Sequence, residues 1–325
     1  MRIKRLEGFT TMAGVYAAAR EQGRGQHAQK IYFVCAPATD MLDSFDQNNA
    51  SFTSFVERHP MTCIAQISDI HVRPKGELYQ DLVDSNAMLA RAITALNDVR
   101  PAPDLVVITG DLVDEGRPAE YAMVRELLAA LTLPYIVMPG NHDNRDHLRE
   151  AFADHPWLPR SGPLHFTRDV GPVRLIALDT PVPDEHHGEL NRDDLAWLNA
   201  QLDICQDRTA VIAMHHPPFV TGIPYLDLYG LRDAESFAAL IASHPHVDRV
   251  IAGHVHRSMQ TRLGPVPVLT CPSTTTQIAL RVEADAQPAS YLEPPAFMLH
   301  RWVQGKPAVS HLSYIGRFEG PLPFA

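Results

Sequence analysis

Short apolar runs that stop abruptly at polar residues dominate the chain from residue 61 onward. Their length of about four to six residues, and the turn-forming residues that bound many of them, predict buried β-strands. These predicted strands cover residues 63–67, 105–108, 135–138, 210–214 and 249–252.

Between the strands, apolar residues recur every three to four positions, as Leu89, Ile93 and Leu96 do, and this period predicts amphipathic helices. The predicted helices cover residues 86–96, 119–131, 145–152, 192–202 and 234–243. Further strands are predicted at residues 173–178, 259–262, 266–270, 296–301 and 309–314. Alternation of strand and helix in the first half favours parallel strands joined by right-handed crossovers. The whole pattern predicts an α/β fold in which helices flank two packed sheets.

Residues 1–60 differ from the rest, because they contain a Gly- and Gln-rich stretch at 22–26 and show no sustained period. We expect them to be a poorly ordered extension or the product of an upstream start, with the folded domain at residues 61–325. The alternative, in which residues 31–34 form a strand of that domain, stays open.

Composition and charge narrow the class of protein. The chain has 325 residues, 45% of them hydrophobic, which is enough for one large buried core. Its net charge of −10 disfavours a protein that binds nucleic acid by coating the phosphate backbone. The sequence shows neither an apolar run long enough for a membrane span nor a clean signal peptide. The four cysteines have no close spacing, which favours reduced thiols and predicts a cytoplasmic protein.

Side chains that can bind metal ions cluster where the apolar runs end. In open α/β sheets, ligands bind beyond the carboxyl ends of the strands. The candidates are Asp69, His71, Asp111, Asn141, the pair His215-His216, His254 and His256. In Asp69-x-His71 and His254-x-His256 the two side chains are two positions apart, so on an extended segment both face the same side. Each residue alone has an ordinary alternative, as a loop cap, a turn residue or a buried imidazole, but the joint pattern favours a metal site. Asp111 is the candidate for a carboxylate shared by two ions.

This donor set limits the metals without choosing among them. Carboxylates, imidazoles and one amide suit first-row transition ions, and Fe, Mn, Zn and Co are all compatible with them.

The motifs together resemble those of the calcineurin-like metallophosphoesterase superfamily. They are Asp69-x-His71, Gly110-Asp111-x-x-Asp114, Gly140-Asn141-His142-Asp143, His215-His216-Pro217-Pro218 and Gly253-His254-x-His256. More narrowly, the stretches at 76–79, 83–86 and 116–121 resemble those of bacterial class III cyclic nucleotide phosphodiesterases and their glycerophosphodiesterase relatives. The resemblance implies a four-layer α-β-β-α sandwich of two mixed sheets, with a dimetal site at the carboxyl ends of the strands.

The resemblance also implies a role for each residue. The first metal would be held by Asp69, His71, Asp111 and His256, and the second by Asp111, Asn141, His215 and His254. His215 is preferred to His216 because relatives place a proline two positions after the ligand, as Pro217 is here.

Other residues near these motifs have implied or open roles. His142 would face the substrate and protonate the leaving oxygen or stabilise charge. Asp114 and Asp143 would either orient imidazoles or cap loops, while His186 and His187 are expected in a solvated loop that borders the pocket. Thr276 stands where relatives often carry a histidine.

The predicted activity is hydrolysis of small phosphodiesters by a hydroxide that bridges two metal ions. The first candidate substrates are 3′,5′-cyclic nucleotides such as cyclic AMP, and glycerophosphodiesters are the close second. A metallonuclease or protein phosphatase ranks lower. A non-catalytic binding scaffold of the same fold would be expected to have lost metal-binding residues. None of the seven implied metal ligands is missing from this sequence. By family analogy we expect a homo-oligomer, associating through a strand-rich segment at residues 264–325.

Overall fold

The computed structural model describes residues 61–323, so the predicted extension over residues 1–60 lies outside the described part of the chain. The strands, in chain order, are β1 (Met61–Ile67), β2 (Leu105–Thr109), β3 (Tyr135–Met138), β4 (Phe166–Val170), β5 (Val173–Ala177), β6 (Thr209–Ala213), β7 (Val247–Ala252), β8 (Gln260–Leu263), β9 (Val266–Thr270), β10 (Gln277–Ile278), β11 (Ser290–Tyr291), β12 (Ala296–Val303) and β13 (Val309–Tyr314). The helices are α1 (Ser85–Asn97), α2 (Pro118–Leu128), α3 (Arg145–Ala151), α4 (Arg192–Ile204), α5 (Pro224–Asp227) and α6 (Ala234–Ala242).

Two mixed sheets form the framework, as predicted. The first has the order β13-β12-β1-β2-β3, and the second has the order β4-β5-β6-β7-β9-β8. In the first sheet, β1, β2 and β3 are parallel, whereas β12 and β13 extend it in antiparallel fashion. In the second sheet, β5, β6, β7 and β9 are parallel, with antiparallel strands at both edges. The carboxyl ends of five parallel strands carry the motifs identified in the sequence.

Side chains cap the N-termini of the helices α1, α3 and α4. Leu89, Ile93 and Leu96 of α1 are buried, and the Asp84 carboxylate accepts the Ala87 amide at the start of the helix. Such caps satisfy backbone donors that have no partner within the helix.

A buried polar link joins the two sheets close to the strand ends. The Gln66 Nε2 on β1 donates to the Thr109 Oγ1 at 2.9 Å and to the backbone oxygen of Ala252, on the other sheet, at 3.0 Å. The Gln66 Oε1 pairs with the Nε2 of the fully buried His300 at 3.0 Å. Because buried polar groups must be paired, this link fixes how the ends of β1, β2 and β7 face one another.

The predicted strands and helices are confirmed, with small shifts at their ends. The helix predicted at 119–131 ends at Leu128, because the next amides bond three residues back, Ala130 to Leu127 and Leu131 to Leu128. Strand β4, the short helix α5 and the β10–β11 pair were missed because their apolar patterns are too short or irregular to show a period. Within residues 61–323, no helix is both long and apolar enough to cross a membrane.

Candidate metal centre

Five loops bring the predicted ligands to one edge of the sandwich. They follow β1, β2, β3, β6 and β7, at the carboxyl ends of parallel strands. Five of the predicted residues have left-handed backbones, namely Asp69, His71, Asp111, His254 and His256, with φ between 40° and 70°. Non-glycine residues seldom adopt this conformation, and strained positions of this kind concentrate at functional sites. The stretches Asp69-x-His71 and His254-x-His256 are therefore not the extended segments assumed from the sequence, and it is these turns that direct the side chains.

The donor atoms of Asp69, His71, Asp111 and His256 converge in a first cluster, where all lie within 4.8 Å of one another. The Nε2 atoms of His71 and His256 are 3.1 Å apart. The His256 Nε2 lies 3.3 Å from the Asp69 Oδ1, and the His71 Nε2 lies 3.8 Å from the Asp111 Oδ2. All four side chains are buried.

A second cluster lies beside the first and shares Asp111 with it. The Asn141 Oδ1 is 3.1 Å from the His215 Nε2 and 2.9 Å from the His254 Nδ1. The His215 Nε2 is also 3.3 Å from the Asp111 Oδ2, the same oxygen that faces His71. One carboxylate oxygen of Asp111 therefore faces both clusters.

His215 keeps one ring nitrogen that is directed at the cluster, whereas both ring nitrogens of His216 already have hydrogen-bond partners outside it. The His215 Nδ1 bonds the Thr109 backbone oxygen at 2.8 Å, which leaves the Nε2 directed at Asp111 and Asn141. Although His216 lies close to His215 and His254, its Nδ1 bonds the Thr180 hydroxyl at 2.8 Å and its Nε2 bonds the His186 backbone oxygen at 3.1 Å. The geometry supports the choice of His215.

The pKa values of the clustered groups are shifted in different directions. Burial opposes ionisation of Asp111, but His215 and His142 outweigh it and hold its pKa well below the usual range. Burial lowers the pKa of His254 to about 3, so this imidazole is neutral. For His215, burial is outweighed by Asp111 and the pKa rises to about 9, so a metal ion has to displace a proton from this ring.

Backbone oxygens and close packing hold the donors in place. The His256 Nδ1 bonds the Thr276 backbone oxygen at 2.9 Å, the kind of support that orients metal-binding imidazoles. Position 276 therefore supports a predicted donor through its backbone oxygen. Gly140 is required because a Cβ there would clash with the Asp111 carboxylate and the His215 ring.

His142 lies beside both clusters and faces the cavity. Its Nδ1 bonds the Asp114 backbone oxygen at 2.7 Å, and its amide donates to the Asp111 Oδ1 at 2.9 Å. Burial disfavours the charged ring, but Asp111 and the Asp114 backbone oxygen outweigh it and raise the pKa of His142. The ring can therefore hold a proton that it presents to a bound substrate.

Asp114 and Asp143 have distinct roles. Asp143 joins loops, since it accepts the amides of Leu112 and Gly140 and the Tyr121 hydroxyl at 2.9–3.0 Å. Asp114 orients His142 through its backbone, whereas its carboxylate pairs with Arg73 at 2.7 Å.

Arg73 is a supporting residue that the sequence pattern did not reveal. The Arg73 guanidinium is largely buried and also pairs with Glu115 at 2.9 Å and Glu120 at 3.0 Å. These partners lie 41 to 47 positions away in the chain. Arg73 also pairs with a nearby residue, the exposed Glu77. Short-range charge patterns therefore carried no signal for this network.

A cavity of about 450 Å³ opens over both clusters. Its floor is formed by donor residues and His142, and its walls include Tyr79, Tyr225, Tyr229 and Ile278. The loop predicted to be solvated has His186 exposed, as expected, whereas His187 is buried. The His186 Nδ1 lies 3.3 Å from the Asn141 Nδ2.

Comparisons with known proteins find a matching family model and related sequences. A family model described as calcineurin-like phosphoesterase matches residues 63–258. The chain is 36% identical over 262 residues to a probable glycerophosphodiester phosphodiesterase of Arcobacter nitrofigilis, covering 80% of this chain and 96% of that protein. It is 33% identical to a probable cyclic nucleotide phosphodiesterase of Synechococcus, covering 66% of this chain and 81% of that protein.

Solved structures share the fold at low sequence identity. A dimetal phosphatase from Danio rerio superposes with a TM-score of 0.53 at 16% identity, covering 77% of this chain and 98% of that one. A purple acid phosphatase from yellow lupin gives a TM-score of 0.54 at 13% identity, covering 74% of this chain and 49% of that one. These similarities confirm the expected fold.

Proposed function

The chain belongs to the calcineurin-like phosphoesterase family, and on that premise we propose that it is a metal-dependent hydrolase of small phosphodiesters. The observation that carries the proposal is the pair of donor clusters that share the Asp111 Oδ2 at the floor of one cavity. A non-catalytic scaffold would not need two complete clusters beside a histidine that faces the same cavity.

Two metal ions fit the donor set. We assign Asp69, His71, Asp111 and His256 to the first ion, and Asp111, Asn141, His215 and His254 to the second. Mixed oxygen and imidazole donors keep Fe, Mn, Zn and Co as candidates. When bound, such a pair supplies an activated water as nucleophile and positive charge that stabilises the phosphoryl oxygens.

His142 contributes the proton chemistry of the chain itself. Its Nδ1 is held by the Asp114 backbone oxygen, so its Nε2 is the atom left to meet the leaving oxygen of a diester. A general acid requires the protonated ring, and Asp111 and the Asp114 backbone oxygen raise the pKa of His142 against the effect of burial.

The cavity suits a small substrate, and two classes of diester remain candidates. Cyclic nucleotides such as cyclic AMP were favoured by the motifs. The comparisons add weight to glycerophosphodiesters, because the relatives named for that activity match 79–80% of this chain, against 66% for the cyclic nucleotide phosphodiesterase of Synechococcus. Association into a homo-oligomer through residues 264–325 stays a prediction.

A substrate panel on metal-analysed protein tests the proposal. The substrates are cyclic AMP, cyclic GMP, glycerophosphocholine, bis(p-nitrophenyl) phosphate and the monoester p-nitrophenyl phosphate. We expect at least one diester to be hydrolysed faster than the monoester. Faster turnover of the monoester than of every diester would overturn the proposed function.

A further inference from the structure

One side of the cavity is an aromatic wall formed by His186, Tyr225 and Tyr229. The His186 ring centroid lies 6.0 Å from that of His142, and the Tyr229 ring packs edge-on against His186 at 5.4 Å and 70°. The wall therefore begins where the metal-binding residues end and continues outward, to the place where a substituent on a bound phosphodiester would lie.

The wall is built on paired backbone segments. The Gly188 amide bonds the Gly230 backbone oxygen at 3.2 Å, and the Arg232 amide bonds the Gly188 backbone oxygen at 2.8 Å. The loops that carry His186 and Tyr229 are thus held together before any ligand arrives.

The third member of the wall is also fixed. The Tyr225 hydroxyl reaches the Ala289 backbone oxygen at 3.3 Å. The helix α5 that carries it is anchored by the buried Ile223 and Leu226. An aromatic surface held in this way loses little conformational freedom on binding.

The charge of the cavity indicates what the wall can bind. Among the described residues that line the cavity there is no lysine or arginine, and Asp111 is the sole carboxylate. His142, the lining side chain to which the proposed function gives a proton, lies at the floor, so an anionic substituent at the wall would find no cationic side chain beside it. An alkylammonium group, by contrast, is attracted to the faces of aromatic rings.

We propose that the aromatic wall is a subsite for the alkylammonium group of a phosphodiester, such as the choline of glycerophosphocholine. The inference rests on the proposed diester hydrolysis and specifies its substrate class. Because the rings of His186 and Tyr229 are inclined at 70°, a compact cation can contact both rings, whereas a flat nucleobase can lie parallel to only one of them.

The test compares glycerophosphocholine with its uncharged isostere, in which the quaternary nitrogen is replaced by carbon to give a 3,3-dimethylbutyl ester. The two esters have nearly the same shape, but the ammonium group also makes choline the better leaving group. The contribution of the wall is therefore read from the change in the ratio of kcat/KM values between the unmodified chain and Tyr229→Leu, in which the leaving groups are the same. Cation–aromatic contacts of about 0.5–2 kcal/mol correspond to a preference of about 2- to 30-fold for the choline ester. The proteins are the unmodified chain, Tyr229→Leu, Tyr229→Phe and Tyr314→Leu. Tyr314 is an exposed tyrosine on β13 that does not line the cavity.

We expect the unmodified chain, Tyr229→Phe and Tyr314→Leu to prefer the choline ester, and Tyr229→Leu to lose most of that preference through a higher KM for the choline ester. Equal kcat/KM for both esters in the unmodified chain would overturn the inference. The inference would also be overturned if Tyr229→Leu kept the preference for the choline ester. The same holds if that variant lost kcat/KM for cyclic AMP rather than for the choline ester.

The proposed function can fail separately. If the metal-loaded chain hydrolyses no diester, including bis(p-nitrophenyl) phosphate, the activity is wrong. Equilibrium binding of phosphocholine and its dimethylbutyl isostere to the same four proteins then decides the subsite. Tighter binding of phosphocholine that depends on the ring at position 229 supports it, and equal binding overturns it.

Discussion

Replacement of His142 by alanine separates proton donation from metal binding. The structure places the ring at the cavity with its Nδ1 committed to the Asp114 backbone oxygen at 2.7 Å. Asp111 and the Asp114 backbone oxygen raise the pKa of the ring against the effect of burial. If the ring gives a proton to the leaving oxygen, the cost of His142→Ala depends on how much help that oxygen needs.

The expected magnitude follows from the leaving group. General acid assistance is typically worth about 10²–10⁴-fold, which corresponds to about 3–5 kcal/mol of transition-state stabilisation. An alkoxide leaving from glycerophosphocholine or cyclic AMP should suffer the full loss. A p-nitrophenolate is stable as an anion, so the loss for bis(p-nitrophenyl) phosphate should be below about 10-fold on the same reasoning.

The assay measures kcat/KM for both classes of diester and the metal content of each protein. His147→Ala is a matched control, because its Nδ1 also bonds a backbone oxygen, that of Gly116, at 2.7 Å, yet the ring does not line the cavity. We expect little change in this control and full metal content in both variants. Equal losses on both diesters in His142→Ala would refute proton donation and leave charge stabilisation, and lost metal would make the residue structural.

Three further predictions follow from the donor clusters and the core. Asp111→Ala should abolish turnover and lower metal content at both sites, measured by elemental analysis; two tightly bound ions with near-normal turnover would refute the shared ligand. His215→Ala should cripple the enzyme and lower metal content, whereas His216→Ala should do less damage to both, and the reverse order would move the ligand to His216. Burial and the nearby Arg249 lower the pKa of His300 to about 3, below its unfolded value, so stability present above pH 6.5 is lost as the pH falls. At pH 5 this lowers the free energy of unfolding by about 2 kcal/mol. His300→Gln should therefore reduce the difference between the free energies of unfolding measured in denaturant at pH 7 and at pH 5. An unchanged difference would show that His300 is not the origin of the pH dependence.

The parts of the fold that the sequence predicted are those with a strong local signal. Strand β2 is a continuous apolar run, and helix α1 repeats its apolar residues at helical spacing, so both were found almost to the residue. Helix α5 has four residues and a single turn cannot show a period, yet it carries Tyr225 of the aromatic wall. Elements this short are specified by their tertiary contacts.

The residues of the candidate site were likewise predicted only where the sequence carries a local signal. Donor residues were identifiable because each lies directly after a strand, and the chain direction of parallel strands brings those positions to one edge. Arg73 was missed because its partners Asp114 and Glu120 are distant in sequence and meet only after β1 and β2 pair. His187 was placed in a solvated loop although it is buried, because no local pattern reveals that this loop pairs with the segment that follows Tyr229.

The donor residues and the residues of the aromatic wall are expected to have separate effects on the enzyme. The donors follow strands of the sheets and are supported by buried groups, such as the Thr109 backbone oxygen behind His215, so substitutions there should remove metal and activity together. The aromatic wall stands on loops that are fixed to each other, at Gly188 and Gly230, and only its inner end meets the donors, through His186 and Asn141. Changes at Tyr229 should therefore alter which diester is preferred while the donor clusters stay intact. A chain built in this way can change its substrate by exchanging residues in two surface loops, without disturbing the strand ends that hold the reaction centre.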